Sequence, residues 1–131
     1  FELMSAETLH KIQISVKTWF REDLSNLDEG SFFFNYEITI HNAGDVEVQL
    51  LRRYWRVYHL TLGSNVVSGE GVVGEQPIID SKESYTYTSG CELYSSMGRM
   101  SGYYQFKEVQ SGTTFTVPIP SFTLIFPVLL N

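Results

Sequence analysis

Strict alternation of apolar and polar side chains recurs along most of this chain. Ile12, Ile14 and Val16 are each separated by one polar residue, and the same period runs through residues 32–40. Successive side chains of a β-strand point to opposite faces of a sheet, so a period of two is typical of half-buried strands. Further rows of this kind lie at 48–60, 85–87, 100–106 and 115–119. The pattern predicts a chain built almost entirely of strands.

Turn signals separate these rows. Gly and Asn at 42–45 and 110–113 favour tight turns between neighbouring strands. The acidic stretch 22–30 is predicted to be an exposed loop, and a weak helical pattern occurs at 2–9. A last strand is predicted at 123–130, offset by Pro118, Pro120 and Pro127. About seven to eight strands without intervening helices predict an all-β sandwich or barrel.

Length and hydrophobic content fit one domain. The 131 residues are 43% hydrophobic, and we find no internal repeat or linker. We therefore predict a single domain over 1–131, with its core at about 10–126. The chain begins Phe1-Glu2-Leu3-Met4, and we predict that it is a piece of a longer protein. No run of about eighteen apolar residues occurs, so no membrane span is predicted.

Charge and cysteine content narrow the partners and the compartment. The formal net charge is −6, whereas nucleic-acid binders usually carry a basic surplus that neutralises phosphates. We therefore predict no nucleic-acid partner. Cys91 is the single cysteine, so no internal disulfide can form, which favours a reducing intracellular compartment.

The stretch 62–83 breaks the alternation and is predicted to be a long irregular connection, a kind of segment that often carries function. Gly69, Gly71 and Gly74 match the spacing of a dinucleotide-binding loop. That chemistry also needs a helix after the glycines, which Pro77 opposes, and Glu70 and Glu75 would repel an anion. Two interpretations stay open: glycines that allow a tight turn, or a nest of backbone amides for a small anion.

A second candidate site lies in the third strand row. Arg52, Tyr54, Arg56 and Tyr58 are predicted to share one face, opposite a face that contains Trp55. Such a basic and aromatic surface can bind a carboxylate, a peptide or stacked bases. An ordinary exposed sheet face with Arg side chains on Tyr rings is the alternative interpretation.

Catalytic and metal-binding patterns are missing from the sequence. His10, His41 and His59 are scattered without the spacing of metal ligands, and Cys91 has no neighbouring base in sequence. The carboxylates concentrate in loops and turns. We predict no catalytic residue, no metal site and no cofactor.

Several segments together resemble the ApaG domain family. The resemblance extends in register from about residue 12 to residue 124. The segments that carry it are QLLRRYW at 49–55, GEGVVGEQP at 69–77, YTSGC at 87–91, MSGYY at 100–104 and VPIPSF at 117–122. This resemblance implies a fibronectin type III or immunoglobulin-like β-sandwich. It also implies an alternative function, in which the glycine motif binds pyrophosphate or a nucleotide.

The resemblance is greatest to the animal branch in which this domain is fused to an F-box. LRRYW at 51–55, SGCEL at 89–93 and the apolar tail carry it. It implies that the domain recruits ubiquitination substrates to an SCF-type ubiquitin ligase, in the nucleus and the cytoplasm. The Skp1 adaptor and a cullin would bind through an F-box outside these residues, and ubiquitin transfer would belong to other subunits.

Overall fold

Eight β-strands and two short 3-10 turns form the part of the chain that the computed structural model describes, residues 11–60 and 63–127. The strands are β1 (Ile12–Phe20), β2 (Phe32–Asn42), β3 (Val48–His59), β4 (Gly63–Glu70), β5 (Ile78–Ile79), β6 (Ser84–Leu93), β7 (Met97–Glu108) and β8 (Thr114–Ile125). The 3-10 turns, Glu22–Leu24 and Leu27–Glu29, bury none of their residues, so the predicted exposed loop at 22–30 is confirmed. None of the described residues forms a helix that is long and apolar enough to cross a bilayer.

The strands form two antiparallel sheets that pack face to face. The smaller sheet has the order β1-β2-β6. The larger sheet has the order β4-β3-β7-β8, with the short β5 also paired to β3. This arrangement is an immunoglobulin-like β-sandwich, and it confirms the predicted fold class.

Inward-facing residues of both sheets form one aromatic core. Phe34, Ile38 and Ile40 of the smaller sheet are almost fully buried, as are Tyr104 and Phe106 of the larger sheet. These residues belong to the apolar rows of the sequence, because a period of two sends every second side chain to the same face.

Aromatic residues join the sheets across this core. The ring of Trp55 packs edge-on against Tyr36 with 5.6 Å between the ring centroids. The buried hydroxyls of Tyr87 and Tyr104 hydrogen-bond to each other. A buried polar group is stable only with such a partner, so each tyrosine supports the position of the other.

The two sides of the sandwich differ. On one side, β1 lies against β8. On the other, the edge strands β4 and β6 border a cleft that Asn65 of β4 and Ser89 and Cys91 of β6 help to line. We call this second side the open side.

The prediction of an irregular connection at 62–83 is wrong for two of its parts. Gly63–Glu70 forms the eight-residue strand β4, and Ile78–Ile79 forms β5. Glycine, serine and asparagine have low strand propensity, so the local sequence contains little sign of β4. Pairing with residues 52–59 of β3 stabilises the strand instead.

The prediction of a separate last strand at 123–130 is also wrong. Residues 123–125 belong to β8, which runs without a break through Pro118 and Pro120, and residues 128–130 lie outside the described residues. Because β8 is an edge strand, one of its sides needs no N–H donor, and proline is tolerated there. Pro120 lies where the β7–β8 register shifts, between the pairs of Met100 and Gly102. The helical pattern at 2–9 lies outside the described residues.

Candidate functional site

Arg52, Tyr54, Arg56 and Tyr58 lie on the outer face of β3, as the alternation predicted. Their neighbour Trp55 is buried in the core. A β-bulge between Leu50 and Arg52 shifts the register, which keeps Leu50 and Trp55 facing inward on the same strand. The four side chains therefore form a continuous row on the solvent side of the larger sheet.

β7 extends this row with residues that the sequence analysis missed. Tyr103 pairs with Tyr54, and Arg99 pairs with Tyr58. The rings of Tyr54 and Tyr103 stack at 4.5 Å between centroids, and the Arg99 guanidinium carbon lies 4.9 Å from the centre of the Tyr58 ring. The alternation within 97–108 indicates that Arg99 and Tyr103 share one face of their strand. Only the pairing of β3 with β7 places them beside the row on β3. We call these six residues the Arg–Tyr face.

Positive charge concentrates on the Arg–Tyr face although the whole chain has a net charge of −6. None of the ion pairs found within 11–60 and 63–127 involves Arg52, Arg56 or Arg99. Glu70 of β4, which pairs with Arg52 of β3, is an acidic neighbour on this surface. The face is therefore complementary to a negatively charged partner.

The Arg–Tyr face also contains a concavity. A shallow cavity of about 300 Å³ is lined by Tyr54, Arg56, Val66, Gly102 and Tyr103, among others. Tyr103 is 41% exposed and Val66 is 58% exposed. Tyrosine provides a large, rigid contact area with little loss of side-chain freedom, and Tyr and Arg are enriched among the residues that dominate binding. This surface can therefore hold an apolar side chain that has a carboxylate nearby.

The glycine loop has a tight structure of its own. Val72 and Glu75 bond to each other through both of their backbone amides, and Val73 and Gly74 between them have φ of 48° and 80°. This two-residue turn with positive φ is the type that joins antiparallel strands. Gly71 has a φ of 59°, and a Cβ there would lie 2.0 Å from the carbonyl oxygen of Glu75.

These contacts account for the glycines without an anion. The amides of Gly71, Val72 and Glu75 donate to carbonyls of the protein itself. Glu75 also accepts a hydrogen bond from the Tyr85 hydroxyl at 3.1 Å, which places its carboxylate beside the loop. The geometry favours the interpretation as a structural turn, and pyrophosphate or nucleotide binding stays a prediction.

Gly69 has a different role from the other two glycines of the motif. It lies in β4, and a Cβ there would meet the two terminal guanidinium nitrogens of Arg53 at 3.2 Å. Arg53 faces inward from β3, and its Nη1 donates to the carbonyls of Glu70 at 3.0 Å and Gly71 at 2.8 Å. The absence of a side chain at Gly69 therefore makes room for a half-buried guanidinium.

The thiol and the imidazoles have structural surroundings. Burial, together with the adjacent Glu92 carboxylate, raises the pKa of the Cys91 thiol to about 11, which disfavours the reactive thiolate. His41 contacts the Ser84 hydroxyl, and His59 contacts the Asn65 side chain. No three or more His, Cys, Asp or Glu side chains cluster as metal ligands within the described ranges, and His10 lies outside them.

Comparison with known proteins shows the family. The model of the ApaG domain family matches residues 22–108. The chain belongs to the ApaG domain family. This ApaG domain is 42% identical to Protein ApaG of Proteus mirabilis, over 95% of this chain and 98% of that protein. It is 40% identical to Protein ApaG of Pectobacterium atrosepticum, over 92% and 96% of the two chains.

A solved structure confirms the fold of this ApaG domain. The crystal structure of the putative ApaA protein from Bordetella pertussis superposes with a TM-score of 0.86 at 32% identity, over 91% of this chain and 96% of that one. The two-sheet architecture is therefore shared with a bacterial relative over almost the whole chain.

Proposed function

We propose that this ApaG domain is a non-catalytic protein-interaction domain and that a partner polypeptide binds the Arg–Tyr face. The observation that carries the proposal is the accumulation, on one sheet of an acidic chain, of stacked tyrosines and of arginines that form no ion pair within the described residues. Ordered aromatic rings cost little entropy when a partner binds them, and arginine donates to carboxylates in a planar, bidentate geometry.

The finer part of the proposal concerns the assembly. We infer that the domain recruits substrates for an SCF-type ubiquitin ligase, whose Skp1 adaptor and cullin bind an F-box outside these residues. Its support is the likeness of LRRYW at 51–55 and SGCEL at 89–93 to the F-box branch of the family. The bacterial relatives support the ApaG domain itself and are silent on the ligase. In this assembly the domain acts in the nucleus and the cytoplasm by holding a substrate at high local concentration.

A pair of matched double variants of the full-length protein tests this proposal. Arg56→Glu/Tyr103→Ser removes one arginine and one tyrosine from the Arg–Tyr face. Lys17→Glu/Trp19→Ser makes the same kind of change on the opposite sheet, where Trp19 is also 41% exposed. We expect the first variant alone to lower partner capture, and the abundance of ubiquitin-modified partner peptides, by about tenfold, equivalent to 1.4 kcal/mol. Skp1 capture should be equal in both variants.

Two results would contradict the proposal in different ways. Equal loss of partners in both variants, with both proteins folded, would exclude the Arg–Tyr face as the binding surface. A full-length protein without an F-box, or one that fails to capture Skp1, would exclude the ligase and leave the interaction domain to be judged by partner capture alone.

A further inference from the structure

The open side of the sandwich exposes an unpaired strand edge. The Gly71 amide donates to the Leu51 carbonyl, and the register of β3 and β4 continues this antiparallel pairing. Hydrogen-bonded pairs alternate in such a ladder. Asn65 and Gly69 therefore direct their backbone groups towards β3, whereas Ser64, Val66 and Ser68 direct theirs away from the sheet.

This edge lacks the features that usually prevent strand addition. Natural edge strands are protected by charged residues, by proline or by a covering segment. The one charged residue of β4, Glu70, lies at its end, whereas residues 63–69 contain no charge and no proline, and Val66 is 58% exposed. Since β4 is the terminal strand of its sheet, the backbone of an extended peptide can pair with it.

A cleft lies beneath this edge, between the two sheets. It has a volume of about 270 Å³ and combines apolar walls with polar groups that include Arg53, Asn65, Ser89 and Glu92. The Glu92 carboxylate forms no ion pair with Arg53 within the described residues and instead accepts hydrogen bonds from the hydroxyls of Ser31 and Tyr94. The Arg53 guanidinium contacts only carbonyl groups through its Nη1, and none of the ion pairs within 11–60 and 63–127 includes it. A half-buried cation of this kind favours an anionic side chain that enters the cleft.

We propose that an extended segment of a protein partner adds to β4 as a fifth long strand of the larger sheet and places an aspartate or glutamate side chain against Arg53. The partner residue that pairs with Gly69 directs its own side chain inward, because side chains at paired positions share a face. Gly69 leaves the approach open. This inference rests on the proposed function, which supplies the protein partner. It adds a second contact surface and names the chemistry that this surface recognises.

The inward-facing residues of β4 argue against a second copy of this chain as the occupant. In a symmetric pairing of two β4 strands, each copy would present its own residues to the cleft of the other. The inward positions include Gly63, Asn65 and Gly69, none of which is acidic, and Glu70, the acidic residue of β4, lies on the outer face with Arg52. A second copy would leave Arg53 without a carboxylate.

Titration of the isotope-labelled chain with two blocked nine-residue peptides tests the inference. Both peptides alternate threonine and valine, and the central residue is glutamate in one and glutamine in the other. We expect the glutamate peptide to shift the amide resonances of Ser64, Val66 and Ser68 and to bind at least about tenfold more tightly, since a bidentate Arg–carboxylate contact is among the stronger hydrogen-bonding arrangements. Equal affinities, or shifts confined to the Arg–Tyr face, would overturn the inference.

Three variants sharpen the result. Arg53→Gln should abolish the preference for glutamate, whereas Arg52→Gln, the adjacent and outward-facing arginine, should retain it. Val66→Pro removes an edge donor without a partner in β3, so it should eliminate peptide binding while the spectrum stays folded. Peptide binding that survives Val66→Pro, or a glutamate preference that survives Arg53→Gln, would contradict strand addition. These measurements need no F-box, so their failure is distinct from failure of the proposed ligase assembly.

Discussion

At the scale of single residues, the hydrogen bond between Tyr87 and Tyr104 joins the two sheets inside the core. Tyr104→Phe leaves the Tyr87 hydroxyl buried without a partner, so we expect a loss of about 1–3 kcal/mol in the free energy of unfolding. Tyr103→Phe, one position away and 41% exposed, is the matched control and should change stability by less than about 0.5 kcal/mol. Urea unfolding curves measure both, and equal losses would show that the buried hydrogen bond is unimportant.

Cys91 makes a second prediction at this scale, because burial raises its pKa to about 11. The thiolate is the reactive form, so the rate of alkylation by iodoacetamide should increase about tenfold per pH unit up to pH of about 11. In the urea-unfolded chain, the rate should level off above about pH 8.5, the value of an ordinary thiol. Cys91 is the single cysteine, so mass spectrometry of the intact chain follows it without ambiguity. A plateau near pH 8.5 in the folded chain would contradict the burial effect.

At the scale of elements, two glycines of the turn after β4 look equivalent in the sequence motif but have different surroundings in the structure. Gly71 and Gly74 both have positive φ, but a Cβ at Gly74 meets no atom within 4 Å, whereas at Gly71 it lies 2.0 Å from the Glu75 carbonyl oxygen. We expect Gly74→Ala to cost about 1–2 kcal/mol, the cost of the left-handed conformation. Gly71→Ala should cost more than about 3 kcal/mol, because the backbone itself must move. Thermal unfolding compares the two, and equal costs would show that the loop rearranges freely.

Sequence periodicity predicted the elements whose side chains alternate, and it failed where backbone pairing alone forms the strand. β2 and β3 were recognisable from their apolar rows. β4 was not, because Gly63, Ser64 and Asn65 provide little strand propensity and the strand depends on backbone pairing with β3. The prolines of β8 suggested a break that an edge strand does not require.

The part of the candidate site on β3 was predicted from the sequence, whereas the parts that depend on strand pairing were not. The alternation of β3 is local, so it revealed that Arg52, Tyr54, Arg56 and Tyr58 share a face. The stacking of Tyr103 on Tyr54 depends on a pairing between residues that are far apart in sequence. The contact of Arg53 with Gly69 depends on β4, which the sequence concealed.

At the scale of the whole molecule, the sandwich has a covered side, where β1 lies against β8, and an open side at β4. Native-state hydrogen exchange should therefore be asymmetric. We expect the amides of the interior strands β3 and β7 to be the most protected, since stability is greatest in the packed centre. Within β4, Asn65 and Gly69 should be protected, whereas Val66 and Ser68, which point away from β3, should exchange rapidly. Uniform protection along β4 that increases with protein concentration would mean that copies of the chain cover this edge in solution, and it would remove the free strand that a partner peptide needs.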